Sequence, residues 1–211
     1  MSFKPYLSWS MAALCLLLLT APLSAQRRLS TIGLETGNAI TAFPITGAPQ
    51  LLYSNYHPYT TFSGSLVWKE KNKHSWEQSF NLGYMYHRFV QHSIPVFTEI
   101  IYSNKLSNSF NLRVHLGGGY LHSIPAVDRF ELNSQGEYEK IKNLGRAQGM
   151  FKLSFSGAYH LNELYVLTLN YGVLGQTPFV RSYVPLLPYN TLQLGLHKKL
   201  NPGMSNNPTR K

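Results

Sequence analysis

Between His74 and Arg88 the chain reads HSWEQSFNLGYMYHR. Every second residue is apolar (Trp76, Phe80, Leu82, Tyr84 and Tyr86), with only Gln78 breaking the series. The positions between them carry Ser75, Glu77, Ser79, Asn81, Gly83, Met85 and His87. Period-two alternation sustained this long dictates a β-strand with one apolar face and one polar face. Strands of soluble sandwiches usually stop after about five or six residues. The ten steps from Trp76 to Tyr86, at about 3.3 Å each and a tilt near 40°, rise about 25 Å, the height of the apolar band of a membrane barrel. Aromatic residues at both ends of that rise match interfacial girdles.

An open sheet edge is not tolerated in hydrocarbon, so such a strand requires a closed, even-numbered set. Seven further segments alternate in the same way. Ser30 to Asn38 sets Ile32, Leu34 and Thr36 against Thr31, Gly33, Glu35 and Gly37. Thr60 to Trp68 sets Phe62, Leu66 and Trp68 against Thr61, Ser63 and Ser65. Val96 to Asn104 places Val96, Ile100 and Tyr102 opposite Phe97, Glu99, Ile101 and Ser103. Ser109 to His122 turns Phe110, Leu112, Val114, Leu116 and Tyr120 outward, and Asn111, Arg113, His115, Gly117 and Gly119 inward. Ala147 to Leu161, Glu163 to Leu174 and Thr191 to Leu200 complete the set. The expected fold class is all-β, an eight-stranded antiparallel transmembrane up-and-down β-barrel. Its expected membrane-interface aromatics are Trp68, Trp76, Tyr84, Tyr86, Phe110, Tyr120, Tyr159 and Tyr165.

Short connections are expected at 69–73, 105–108 and around Asn162, and longer ones at 39–59, 89–95, 123–146 and 175–190. Small barrels keep short turns in the periplasm and longer loops outside. Lys69, Lys71, Lys73, Lys105, Lys198 and Lys199, with Arg27, Arg28, Arg210 and Lys211, all fall on the short-turn side, opposed by Glu70 and Glu163. Without Lys4 of the leader the chain has 18 Lys and Arg against 9 Asp and Glu, a net charge of +9, and most of it is thus concentrated on a rim, where anionic lipid headgroups attract it. Export argues against a nucleic-acid partner.

Residues 1–25 read as a signal peptide: Lys4, an apolar run from Met11 to Leu19, and a small-residue junction at Leu23-Ser24-Ala25. That run is too short to span a bilayer as a helix. Residues 26–200 are the expected outer-membrane barrel, and 201–211 a polar tail of disordered composition. Cys15 lies in the leader, so the exported chain offers no disulfide or thiol nucleophile. The expected location is a bacterial outer membrane.

A narrow eight-stranded interior is filled by side chains, and buried unpaired charges are costly. Glu35, Glu77, Glu99, Arg113 and Lys152 are therefore expected to form a polar network in the lumen. The whole pattern resembles the small eight-stranded outer-membrane barrels of the OmpA-barrel and OmpX type. The resemblance covers nearly all of the exported chain and is architectural, with no residue motif. Many such proteins end on an aromatic residue that assembly machinery reads, whereas this chain continues past Leu200 into NPGMSNNPTRK.

His-Ser-Ile-Pro occurs twice, at His92–Pro95 and His122–Pro125. Lipid A deacylases of the outer membrane carry a Ser/His/acid site on the outward surface, and His122, Ser123 and Glu131, or Asp128 as the acid, are the candidate catalytic set. Adjacent strand residues point to opposite faces, so the preferred reading gives the histidine a polar interface and lets the proline end the ladder. Gly117-Gly118-Gly119 lacks the lysine of a phosphate loop and lies within a strand, where glycine relieves crowding. His57, His87, His92 and His122 fall at the outer rim as a spatial metal candidate, but no metal-ligand spacing accompanies them; no metal or cofactor is expected. Segment 123–146 is charged and reads first as a solvated loop, with a hairpin extending its two flanking strands, Gln135-Gly136 at its tip, as the alternative, while 175–190 is unusually apolar. Both are candidate surfaces for an outer-membrane partner protein.

The expected role is structural or interactive: a small barrel in contact with outer-membrane lipid and lipopolysaccharide, presenting its loops, as an accessory subunit of a larger assembly. The alternatives are a lipid-modifying hydrolase through His122, Ser123 and Glu131, and a soluble lipocalin-like carrier with its apolar faces inward.

Overall fold

The computed structural model describes residues 29–200 apart from 89, 143 and 180–184; the expected signal peptide at 1–25 and the expected disordered tail at 201–211 lie outside the described residues. The chain runs through β1 (Leu29–Thr41), α1 (Gln50–Tyr53), β2 (Pro58–Glu70), β3 (His74–His87), β4 (Gln91–Lys105) and β5 (Phe110–Pro125). A short hairpin of β6 (Arg129–Leu132) and β7 (Tyr138–Ile141) precedes β8 (Arg146–His160), β9 (Tyr165–Thr177) and β10 (Leu187–Lys199). The eight long strands close into one antiparallel barrel in which β10 pairs back onto β1, and the β6–β7 hairpin is a separate two-stranded sheet.

The polarity of this barrel is inverted relative to a water-soluble one. Leu34, Phe62, Leu82, Leu116, Phe155 and Leu194 are exposed on its outside, while Glu35, Ser79, Glu99, Lys152, Asn170 and Gln193 are buried inside. Such a surface is unfavourable in water and matched to hydrocarbon. The soluble-carrier alternative, which needs the apolar faces inward, is excluded by this arrangement.

Two aromatic rows mark the ends of the outer surface. Trp76 (44% exposed), Tyr159 (49%), Phe110 and Tyr165 stand at the end bearing the short turns, and Tyr84 (46%), Tyr86 and Tyr120 at the end bearing the loops. Trp76 pairs with Tyr102, ring centroids 5.1 Å apart, and Phe110 pairs with Tyr159. Trp68 is the extra residue of a bulge, since Val67 pairs with Glu77 and Lys69 with Trp76; it remains exposed.

The strands are longer than the sequence reading at their loop ends. Ala39–Thr41, Pro58 and Tyr59, Gly175–Thr177 and Leu187–Asn190 belong to the ladders rather than to loops. The largest correction is at 89–95, expected as a long loop: β4 begins at Gln91, so the β3–β4 connection is as short as the turns at the other end. Long and short connections therefore do not alternate strictly. Pro95 lies inside β4 and does not end it. Proline lacks an N–H, and the β3–β4 ladder skips from Leu82–Val96 to Met85–Ser93 around it without losing register. Gly83 makes the room, because a Cβ there would meet the Pro95 ring at 2.9 Å.

Candidate functional site: a layered lumen and its two mouths

Inward rows from all eight strands stack into three layers. The middle layer is apolar: Tyr59, Met85, Phe97, Leu121, Leu174 and Tyr189, with Ala39 and Met150, form one cluster exposed by no more than 5% at any member. It closes the bore. Gly119 admits Phe97 to this layer, since a Cβ there would run into the Val96 carbonyl and Phe97 itself.

Toward the turn end lies the charged layer. Lys152 Nζ is 3.2 Å from Glu99 Oε1 and 5.3 Å from the centre of the Phe97 ring. The other Glu99 oxygen accepts from the Ser79 hydroxyl at 3.3 Å and lies 3.7 Å from His115 Nδ1. His115 Nε2 is 2.8 Å from Ser156 Oγ. Gly117 leaves space for the Glu99 side chain to cross the lumen. Glu35 has different partners: His197 Nε2 at 3.0 Å, the Thr168 hydroxyl at 3.2 Å and Asn170 Nδ2 at 3.2 Å. Glu77 accepts from the Ser75 hydroxyl at 3.0 Å. Of the five charged residues expected to pair, the structure joins Glu99 to Lys152 directly. It gives Glu35 a histidine in place of a cation and leaves Arg113 at the edge. The sequence reading missed His115 and His197; both lie on inward rows, which was the available signal. A cavity of about 30 Å³ lies among Glu35, Glu77, Glu99, Arg113, His115 and His197, room for about two waters.

Toward the loop end three glutamines bridge the lumen. Gln91 Nε2 donates to Gln176 Oε1 at 2.6 Å and to the Tyr189 hydroxyl at 3.2 Å. Gln176 Nε2 donates to Gln148 Oε1 at 2.6 Å, and Gln148 Nε2 to the Pro178 carbonyl at 2.6 Å. Beside them the His57 and His87 rings stack with centroids 3.9 Å apart and planes 7° apart. Burial holds the His57 pKa below that of a free imidazole, a backbone hydrogen bond at Asn55 only partly opposing it.

The two His-Ser-Ile-Pro repeats pair with each other. Ser93 lies opposite Ser123, His92 opposite Ile124 and Ile94 opposite His122, a local two-fold between β4 and β5. Both serines are buried in the lumen. Both histidines face outward, where His92 Nδ1 is 2.7 Å from the Tyr84 hydroxyl and His122 Nδ1 is 2.8 Å from that of Tyr120. His122 Nε2 is 2.9 Å from the Leu144 carbonyl. His122 and Ser123 therefore lie on opposite sides of the barrel wall, and Glu131 sits on the exposed β6–β7 hairpin opposite Glu139. The structure does not bring the catalytic candidates together. Nor does it gather the four rim histidines: His57 and His87 meet inside, His92 and His122 stay outside, and the described residues hold no group of three metal-ligating side chains.

The loops complete the picture. Asn38 donates from Nδ2 to the Leu51 carbonyl at 3.1 Å and accepts the His57 N–H at 2.8 Å. Asn190 Nδ2 donates to the Ala42 and Phe43 carbonyls. Segment 42–57 is thereby pinned while Phe43, Ile45, Leu52, Tyr53 and Tyr56 stay 63–80% exposed. This apolar display was not singled out from the sequence. In 123–146 the less favoured of the two readings holds: instead of a plain solvated loop there is a hairpin, its turn closed by Asn133 Oδ1, which accepts from the Gln135 and Glu137 N–H groups, and by Gly136 at φ 82°.

No family model and no curated protein matches the chain. Among solved structures it is similar to Neisserial surface protein A, with a TM-score of 0.56 and 9% identity over 83% of this chain and 100% of that one. Ail, the attachment invasion locus protein of Yersinia pestis, aligns at a TM-score of 0.43 and 11% identity over 82% of this chain and 97% of its own. The outer membrane enzyme PagL aligns at 0.46 and 7%, over 80% and 98%. At such identities the likeness is one of fold. With the closed ladder and inverted polarity described above, the chain has the fold of the small eight-stranded outer-membrane β-barrels.

Proposed function

We propose that this protein resides in a bacterial outer membrane, turn end toward the periplasm, and acts as a non-conducting docking barrel that presents its loop-end surface to a partner membrane protein. The observation that carries this reading is segment 42–57. A loop left to itself withdraws large apolar side chains, whereas here two asparagines fix its backbone while five of them remain exposed. An exposed apolar patch on a fixed frame is the usual mark of an interaction surface. The closed apolar layer supports the non-conducting part, since aqueous diffusion requires many more strands.

A photo-crosslinking amino acid at Leu52, with Lys71 in the β2–β3 turn as control, tests the reading in intact cells. A discrete protein adduct from position 52 and none from position 71 is expected. Lipid adducts alone at position 52 would overturn it. In planar bilayers the purified protein is expected to show no steady conductance; a stable pore on the order of a nanosiemens defeats the plugged lumen.

A further inference from the structure

At the turn end the inward rows of three strands finish on basic or imidazole side chains, and that of a fourth carries an arginine next to its last member, Asn111. Lys105 ends β4, Arg113 lies just inside β5, His160 ends β8 and Lys199 ends β10. Alternation keeps all four on the lumen side, because Ser103, His115, Ala158 and His197 are their inward neighbours in the same rows. The register then draws them to one mouth. Lys105 lies opposite Asn111, Arg113 lies between Ser103 and Ser156, and Asn111 Nδ2 is 3.2 Å from His160 Nε2. Lys199, Arg113 and Lys105 all act on His160, with Glu77 opposing them. Lys105 and Arg113 also act on Lys199, with Glu70 and Glu77 opposing them.

Arg113 adds a second, independent observation. It borders the lumen cavity, and its Nε is buried without a hydrogen-bond partner among the described residues. A buried guanidinium N–H lacking an acceptor is a standing cost, and so is the mutual repulsion of neighbouring cations. One group relieves both: an oxyanion gives the planar guanidinium its acceptors and the two ammonium groups their countercharge.

We propose that the turn-end mouth is a binding site for a phosphate-type oxyanion, held by Arg113 from within and by Lys105 and Lys199 at the rim. Three converging cations suit a phosphate better than a single carboxylate. Free phosphate and the headgroup of an anionic phospholipid present the same chemistry. The site is at the opposite end of the barrel from segment 42–57, so it stands or falls separately from the docking role.

The test is calorimetric titration of the detergent-purified protein with inorganic phosphate. Native mass spectrometry of the protein released from phosphatidylcholine nanodiscs, with and without phosphatidylglycerol, runs beside it. Saturable phosphate binding supports the site with a soluble ligand, and selective retention of phosphatidylglycerol supports it with a lipid headgroup. In either case Arg113→Met is expected to weaken binding about tenfold while Lys71→Gln leaves it unchanged. Absence of both signals overturns the proposal, as does an equal loss in Lys71→Gln, which marks diffuse surface charge. If Arg113→Met loses the heat-modifiable migration of a folded barrel, the double variant Lys105→Gln/Lys199→Gln takes its place with the same expected loss.

Discussion

The two halves of the lumen solve one problem by opposite means. Each must fill the space enclosed by the same eight strands. The loop half fills it, below its bridging glutamines, with Tyr59, Met85, Leu121, Leu174 and Tyr189, packed to zero exposure. The turn half fills it with Glu35, Glu99, Lys152, His115 and His197, and still keeps a cavity. An apolar filling tolerates changes of partner but not of volume. A charged filling tolerates small voids, which water occupies, but not the loss of a partner. The difference teaches that the first layer gives a seal and the second gives register and chemistry.

The sharpest way to break the contrast is to remove one member of the buried ion pair. Lys152→Met leaves the Glu99 carboxylate deep in the barrel with only His115 and Ser79 beside it, and a loss of about 3–5 kcal/mol is expected. Urea unfolding in detergent, read by heat-modifiable gel migration, checks it. Lys152→Met with Glu99→Gln is expected to recover most of the loss, because the double variant leaves no uncompensated charge. A double variant no better than the single one would mean that the layer works by packing alone.

In the apolar half the comparison turns on volume. Leu121→Ala removes a fully buried side chain and is expected to cost about 2–5 kcal/mol in the same assay, whereas Leu121→Met is expected to cost less than about 1.5 kcal/mol. Equal costs for the two would contradict a packed seal. Gly119→Ala is expected to cost about 1–3 kcal/mol by overpacking, since the added methyl meets the β4 backbone and cannot be accommodated by rotating a side chain.

The outer polarity of the barrel was legible because lipid enforces it at every second position, and one ten-step alternation in β3 suffices to show it. The seal was less legible for a definite reason. Its members lie on inward rows close to the loops, and the sequence reading ended the strands too early. Tyr59, Leu174 and Tyr189 fell at or beyond those ends, so their shared height was not apparent. Pro95 caused the same error in β4: proline signals a break, and only the glycine opposite it in β3 shows how the ladder continues. The charged residues were legible as a set but not as pairs. Which carboxylate meets Lys152 depends on cross-barrel register, and that depends on where each ladder closes.

The smallest expected effect concerns the loop-end mouth, where the seal meets solvent and titration replaces packing. The His57 side chain is buried against His87, and its pKa lies below the free value of 6.5 because burial disfavours the imidazolium. A base whose pKa is lowered by folding binds fewer protons folded than unfolded, so stability rises with pH across that window and falls as pH drops below about 6.5. His87 stacks on the His57 ring, and His87 in turn has the Thr41 hydroxyl 3.4 Å from its Nε2 and the edge of Tyr189 against it; no carboxylate is among these described neighbours to favour the charged form. The loss is expected to fall on segment 42–57, because His57 belongs to that segment and to no barrel strand. Segment 42–57 is attached on one side through Asn38 and on the other through Asn190, and protonation loosens only its return to β2. A fluorescent label at Leu52 is expected to tumble more freely at pH 5 than at pH 8 while the global unfolding midpoint stays in place. His57→Phe keeps an aromatic ring on His87 without its own titration, so the pH dependence should shrink in that variant. Persistence at full size would assign the titration to His87 instead and confine the role of His57 to stacking.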